Sequence, residues 1–216
     1  MATLTDLGFS IGLVVETIVS TYDDIGIPNA APMGVMVDEE DRLVIKIFNS
    51  STTLRNLKSN KSAVLNLTSD INAFYKTAFK EANPQGSIPK TWFEKAQNVT
   101  APKMSNAEAI IEVIAVDFKQ IDIHRTLVVC QVKGMQSKEF FPKAYNRAFS
   151  ATLEAIILST RIKAFSSDKS KGILIVELKE MINNCHDVVS RTAPQSRYAE
   201  IMAELQKRVE LWTAKK

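Results

Sequence analysis

Five consecutive polar residues, Asn49-Ser50-Ser51-Thr52-Thr53, stand between an apolar alternation ending at Phe48 and a helical spacing that begins with Leu54 and Leu57. Hydroxyls and unpaired backbone N–H groups at the start of a helix are the groups that hold a phosphate. Lys46, Arg55 or Lys58 could add the cation. The same residues also make an ordinary helix N-cap, since Ser and Thr accept from the first free N–H groups of any helix. Upstream, Ala30-Ala31-Pro32-Met33-Gly34-Val35 puts small side chains on successive strand positions. A strand without bulk lets a flat ring lie against its backbone, with the amides of Met33, Gly34 and Val35 in reach of ring heteroatoms. The alternative is close sheet packing or a bulge at Gly34.

Two further polar positions complete the set. Asn66 lies mid-strand among apolar residues, where it either meets a polyhydroxyl chain or faces solvent. Arg147, beside Asn146 at the start of a long helical pattern, either reaches an anion or is a surface arginine. A phosphate cradle, a polar contact and a small-residue platform together fit flavin mononucleotide. The expected cofactor-binding residues are Met33, Gly34, Val35, Lys46, Phe48, Asn49, Ser50, Ser51, Thr52, Thr53, Asn66 and Arg147. No Gly-x-Ser-x-Gly, Ser–His–Asp set, GxGxxG or P-loop occurs, so acyl transfer and the common dinucleotide and P-loop sites lack support. Cys130 and Cys185 sit in apolar patterns and read as buried thiols, and His124 and His186 are far apart, so no metal is expected. Any redox chemistry would belong to the cofactor, and no catalytic residue is assigned.

These residues must be positioned by a β-rich first half. Phe9–Tyr22 is rich in Ile, Val and Thr and reads as a strand. Asp23-Asp24-Ile25-Gly26 is a turn, and Pro28–Val37 returns as a second strand whose prolines demand an edge or a bulge. After the turn at Asp38–Asp41 comes a strand over Arg42–Phe48. A helix capped by Ser51 or Thr52 then runs to about Asn60, and a strand follows over Lys61–Thr68. Ile71–Ala82 reads as a short helix. Asn83–Asn106 reads as a long connection with at most a helical turn around Trp92–Gln97. Glu108–Phe118 and Thr126–Met135 supply two more strands. Helices follow over Lys143–Ala164 and Ile173–Val189, and a last one opens at Pro194. The first of these carries Ala144, Ala148, Ala151, Ala155 and Ser159 on a small-residue face, for a partner helix or for packing within the subunit.

The fold class is therefore α+β, mainly β: a six-stranded antiparallel split β-barrel with a C-terminal helical region. The expected division is 1–140 for the barrel and 141–216 for the helices. The chain has 216 residues, 27 basic and 24 acidic, for a net charge of +3. These charges are interleaved, which argues against a nucleic-acid partner. No apolar run is long enough to span a membrane and no signal-peptide pattern opens the chain, so a cytoplasmic protein is expected.

Glu16-Thr17-Ile18-Val19 followed by Gly26-Ile27-Pro28-Asn29-Ala30-Ala31-Pro32-Met33-Gly34 resembles the signature of the DUF447 proteins, a largely archaeal group within the FMN-binding split-barrel superfamily. Phe48–Leu57 is similar to the phosphate segment of flavin reductase-like and pyridoxamine-phosphate-oxidase-like barrels. Asn146-Arg147-Ala148-Phe149, Glu154-Ala155 and Thr160-Arg161-Ile162 resemble the helical region. The resemblance implies a split barrel, a homodimer and FMN near the subunit interface, and it implies no reaction. The expectation is an FMN-binding protein acting as a flavin-dependent oxidoreductase, with NAD(P)H or a small molecule as redox partner. A non-enzymatic flavin carrier, or a structural protein with an empty site, is the alternative.

Overall fold

The computed structural model describes residues 3–39, 41–138 and 146–214. The chain divides into two compact units, Met1–Asp70 with Phe79–Phe141, and Ile71–Ala78 with Pro142–Lys216.

The first unit is a closed six-stranded barrel. Its strands are β1 (Val14–Tyr22), β2 (Pro28–Glu39), β3 (Arg42–Phe48), β4 (Ser62–Leu67), β7 (Ala109–Gln120) and β8 (Arg125–Ser137). They follow the order β1-β2-β3-β8-β7-β4, and every pairing is antiparallel. Period-2 alternation decides the inside: Val19, Val35, Leu43, Ile45, Ala63, Leu65, Ile111, Val113, Val128 and Cys130 fill the core. The thiol of Cys130 is pushed up to about 12 by burial. Helix α1 (Thr52–Asn60) adds Leu54 and Leu57 to the same core.

The first strand begins at Val14, not at Phe9. Gly8 and Gly12 have φ of +84° and +85°, which interrupts the extended chain, and Phe9 is still buried in the core. The expected helix over Ile71–Ala82 ends at Ala78 as α2 (Ile71–Ala78), followed by a 3₁₀ turn at Lys80–Ala82. The connection expected over Asn83–Asn106 contains a 3₁₀ turn at Lys90–Trp92 and a small hairpin, β5 (Phe93–Lys95) with β6 (Pro102–Met104), where a helical turn was expected. Distant side chains hold that hairpin. The buried Glu112 carboxylate accepts from the Gln97 and Asn98 N–H groups, each at 2.8 Å, and from Asn98 Nδ2 at 2.6 Å. Asn66 donates to the Ile18 carbonyl and to Ser20 Oγ, both at 2.8 Å, and its Oδ1 accepts from Met104 N–H at 2.7 Å.

The second unit contains α2, α3 (Arg147–Phe165), α4 (Gly172–Thr192) and α5 (Arg197–Ala214). Asn146 caps α3 by accepting from Ala148 N–H. The start expected at Lys143, with Ala144, lies outside the described residues. Ala148, Ala155 and Ser159 are buried and α3 packs on α2, α4 and α5, so much of the small-residue face is used within the subunit. Tyr75 donates to Glu204 at 2.6 Å and accepts from Arg208 at 2.9 Å. Burial, and then the bond to Glu204, push its hydroxyl up to about 12.

Asn66 is the buried polar joint that ties β1, β4 and β6 together. Asn66→Leu should leave the Met104 N–H and the Ile18 and Ser20 oxygens without this partner. At roughly 1–3 kcal/mol for each orphaned buried group, an overall loss of about 2–4 kcal/mol is expected. Urea unfolding measures it, and a loss under about 0.5 kcal/mol would contradict the role.

Candidate functional site

The barrel has one incomplete seam. Among the described residues, β2 pairs with β3 only through Val35, Met36, Val37 and Glu39, with a bulge between Val37 and Glu39. The seven residues Pro28–Gly34 pair with β1 alone, and Lys46–Phe48 pair with β8 alone. Continuing the register would set Gly34 opposite Lys46 and Pro32 opposite Phe48, but the strands part before that. Pro28 and Pro32 cannot donate to a ladder, which is why this end of β2 tolerates them. The seam thus presents unpaired backbone groups of two strands, the condition under which a ligand can hydrogen-bond to a sheet edge.

Alternation decides which side chains stand beside the seam. Val35 lies in the core and Met33 packs against it, so these two offer only backbone outside. Gly34, Lys46 and Phe48 have the opposite parity; Lys46 is exposed and Phe48 is 50% exposed. A Cβ at Gly34 would stand 2.6 Å from Val14 Cγ1 and 3.3 Å from Glu16 Oε1. Glycine here lets β1 side chains close over β2. It also places beside the expected ring platform the carboxylate of Glu16, a residue that was not among the expected site residues. The signal was the pairing Glu16↔Gly34, which requires the register.

At the other end of the seam, α1 closes the barrel. Ser51 is its N-cap, accepting from Leu54 N–H at 3.1 Å. The Thr52 and Thr53 N–H groups fall in the first turn, where a helix offers them no acceptor. Thr53 is 1% exposed, and its hydroxyl accepts from Asn29 Nδ2 at 3.2 Å, so it works inside the barrel. Asn56 donates to Thr21 Oγ1 at 3.0 Å, and Asn60 to the Tyr22 and Asp23 carbonyls at 3.0 and 2.9 Å. A cavity of about 630 Å³ opens at this point, lined by Asp23, Asn29, Thr52, Asn56 and Lys80 and by residues of the stretch from Pro84 to Thr91.

Lys80 was not among the expected residues, and it lines this cavity together with Thr52 and Lys90. Its ammonium donates to Asn29 Oδ1. Burial lowers its pKa from the usual lysine value, and the nearby positive charge of Arg55 lowers it further, with Glu81 acting in the opposite direction. The cavity wall thus carries the ammonium groups of Lys80 and Lys90 and the hydroxyls of Thr52, Ser87 and Thr91, with the carboxylate of Asp23 on the same wall. In the sequence Lys80 lies 28 residues beyond Thr52 and belongs to no motif, so only the fold brings it there.

The other expected residues divide. Ser50, Ser51 and Thr52 form the turn into α1, with Ser51 and Thr52 partly buried and Ser50 exposed. Asn49 departs from the expectation: its Nδ2 donates to the Ile123 carbonyl and its Oδ1 accepts from Thr126 Oγ1, so its amide secures the β7–β8 turn. Asn66 departs too, because its amide is buried and committed to the β1, β4 and β6 contacts described above, away from any ribityl chain. Arg147 opens α3 in the second unit and is exposed. The structure therefore gathers Thr52 with Asn29 and Lys80 at one end of the seam, and Gly34 with Lys46 and Phe48 along it.

The chain matches the model of the DUF447 N-terminal domain, described as a protein of unknown function, over residues 15–127. Among solved structures it is similar to an FMN-bound DUF447 protein from Methanosarcina mazei, at 21% identity and a TM-score of 0.77, covering 95% of this chain and 99% of that one. A 2-nitrobenzoate 2-nitroreductase from Pseudomonas fluorescens shares 15% identity at a TM-score of 0.49, covering 64% and 73%. A flavoredoxin from Methanosarcina acetivorans shares 18% at 0.49, covering 60% and 72%. The matched segment contains the seam, α1 and Lys80, and by it the chain belongs to the DUF447 family.

Proposed function

We propose that the chain binds FMN along the open seam and acts as a flavin-dependent oxidoreductase. The observation that carries this reading is the seam itself: unpaired β2 and β3 edges beside a small-residue strand, ending at a cradle of hydroxyls and cations. Asn29 and Gly34 are five residues apart on extended backbone, about 17 Å, so only an elongated ligand touches both ends. The phosphate belongs at Ser51, Thr52 and Lys80, with Arg55 adding field. The ring belongs on Ala30–Val35, flanked by Lys46 and Phe48. The FMN bound to the Methanosarcina mazei protein of the same fold supports this assignment.

The residues fit the cofactor chemically. Hydroxyls and ammonium groups answer a dianionic phosphate, and a glycine-bearing strand admits a flat ring. FMN would supply hydride transfer at its N5. This chain would supply orientation, a strand edge for the ring's polar atoms and the carboxylate of Glu16 beside the platform. NADH, NADPH or a small organic acceptor is the proposed redox partner. A homodimer is proposed from the family resemblance, since part of the helix face that could have argued for it is buried within the subunit.

Denaturing the purified protein and chromatographing the released flavin should give FMN and no FAD, because this reading assigns one phosphate cradle among the described residues. FAD, or failure to take up FMN on soaking, would reject the assignment. An assay of NADH and NADPH oxidation by the loaded protein then separates an oxidoreductase from a carrier.

Ser51→Ala with Thr52→Ala removes two hydrogen bonds to a charged group, each worth roughly 1.5–3 kcal/mol. FMN affinity should fall at least tenfold while circular dichroism stays native. Unchanged affinity would mean that these hydroxyls only cap α1.

If the subunit interface builds part of the flavin site, assembly and binding are linked. Dilution to monomer should then release flavin, as followed by light scattering and fluorescence. A stable monomer that retains FMN would exclude the proposed dimer site.

A further inference from the structure

We propose that Glu16 and Lys46 stand on the two sides of the seam as opposed charges at the polar edge of the flavin ring, and that together they set how readily the bound flavin accepts electrons. This inference rests on the flavin reading and gives two side chains of the seam a role in it.

Both charges belong to one row of the sheet. Glu16 pairs with Gly34, and continuing the β2–β3 register sets Lys46 on the far side of Gly34, at the first level where those two strands part. Val15, Val19, Val35 and Ile45 point to the core, so Glu16, Gly34 and Lys46 share the outer face. Lys46 is exposed, and Glu16 and Gly34 are partly so, which leaves the row open to a ligand. Glycine at position 34 lets the Glu16 side chain lean over β2: its Oε1 lies 3.3 Å from where a Cβ would stand. The carboxylate is thereby carried one strand nearer to the seam than its own backbone.

The neighbouring rows carry no charge. Val14, Met36 and Val44 form the row on one side, and Ile18 and Pro32, with Phe48 across the seam, form the row on the other. The next cation along β8, Arg125 beside Phe48, is bound to Asp122 through two bonds of 2.9 and 2.8 Å. One charged row between two apolar ones complements a ring with an apolar body and a polar edge. The pyrimidine edge of a flavin presents an N–H from which a carboxylate accepts and carbonyl oxygens to which an ammonium donates. The two charges act unequally on the two oxidation states. Uptake of two electrons and one proton, delivered together as hydride by NADH or NADPH, leaves the reduced ring with one negative charge. Glu16 opposes that charge and Lys46 favours it.

Reductive titration of the FMN-loaded full chain with dithionite, against a reference dye, tests this in the wild type and in Glu16→Gln and Lys46→Gln. Glu16→Gln should raise the midpoint potential and Lys46→Gln should lower it, each by about 30 mV or more, a tenfold change in the preference for reduced over oxidised FMN. Gly34→Ala keeps both charges but displaces the carboxylate, and should move the potential in the same direction as Glu16→Gln. Unchanged potentials, or shifts of the same sign in the two charge variants, would overturn the proposal, since a purely structural role gives no reason for opposite signs. Lys46 is exposed, so Lys46→Gln decides the matter even if Glu16→Gln fails to fold: an unmoved potential in that variant alone is enough to reject the pair. A wild-type protein that binds no FMN would refute the flavin reading and this inference with it. One that binds FMN at a potential indifferent to both charges would refute this inference alone.

Discussion

A barrel whose ladder is left open along seven residues of one strand must be closed by something other than strand pairing. Here α1 does this with polar side chains. Asn56 bonds to Thr21, Thr53 to Asn29, and Asn60 to two carbonyls at the end of β1. Leu54 and Leu57, buried on the same helix alongside Thr53 and Asn56, enter the barrel core. Apolar burial supplies most of the attraction, but it does not fix the helix in rotation. The amide–hydroxyl bonds do that, because buried polar groups tolerate few arrangements in which all are paired. The start of α1 is consequently held at the mouth of the seam, and the proposed phosphate cradle inherits that position.

The other half of the barrel is treated in the opposite way. In the order β1-β2-β3-β8-β7-β4, the β7–β4 pair lies across from the β2–β3 seam. That side is sealed by the β5–β6 hairpin, pinned by Asn66 and Glu112. Gly134, the cross-strand neighbour of Glu112, makes room for this: a Cβ there would stand 2.5 Å from Asn98 Nδ2. The two glycines Gly34 and Gly134 thus serve closely related ends, each allowing side chains from a neighbouring segment to lie flat on a strand.

Much of the barrel was legible because its signals are local. Alternation of Leu43, Ile45 and Ile47 gives β3, and Ser51 before Leu54 and Leu57 gives α1 with its cap. The prolines of β2 announced an irregular edge, and the interrupted pairing is the form it takes. Local signals failed where the decisive partner is distant in sequence. Asn66 had the look of a ligand contact because a mid-strand amide is unexplained until Met104 is brought to it. Asn49 sat inside a convincing phosphate motif, but its amide is consumed by the β7–β8 turn. Lys80 had no motif at all. Its meaning comes from the cavity wall on which it stands.

These misplacements share a cause that bears on how the site is organised. A hydroxyl-rich helix start is common and satisfies itself through its own cap, as Ser51 shows, so it cannot by itself identify a phosphate site. What raises it above a cap is a cation placed where a lysine gains little from the protein alone. Lys80 is partly desolvated, lies near the like charge of Arg55 and donates to a neutral amide, and its pKa is lowered from the usual lysine value. An anion beside it would act in the opposite direction. The seam follows the same logic at the backbone level. Its unpaired edges forgo hydrogen bonds that adjacent strands could have made, and a ligand along β2 would restore them. Lys80 meets β2 at Asn29 and the unpaired edge runs from there to Gly34, and that shared geometry, more than any single residue, supports the proposed flavin site.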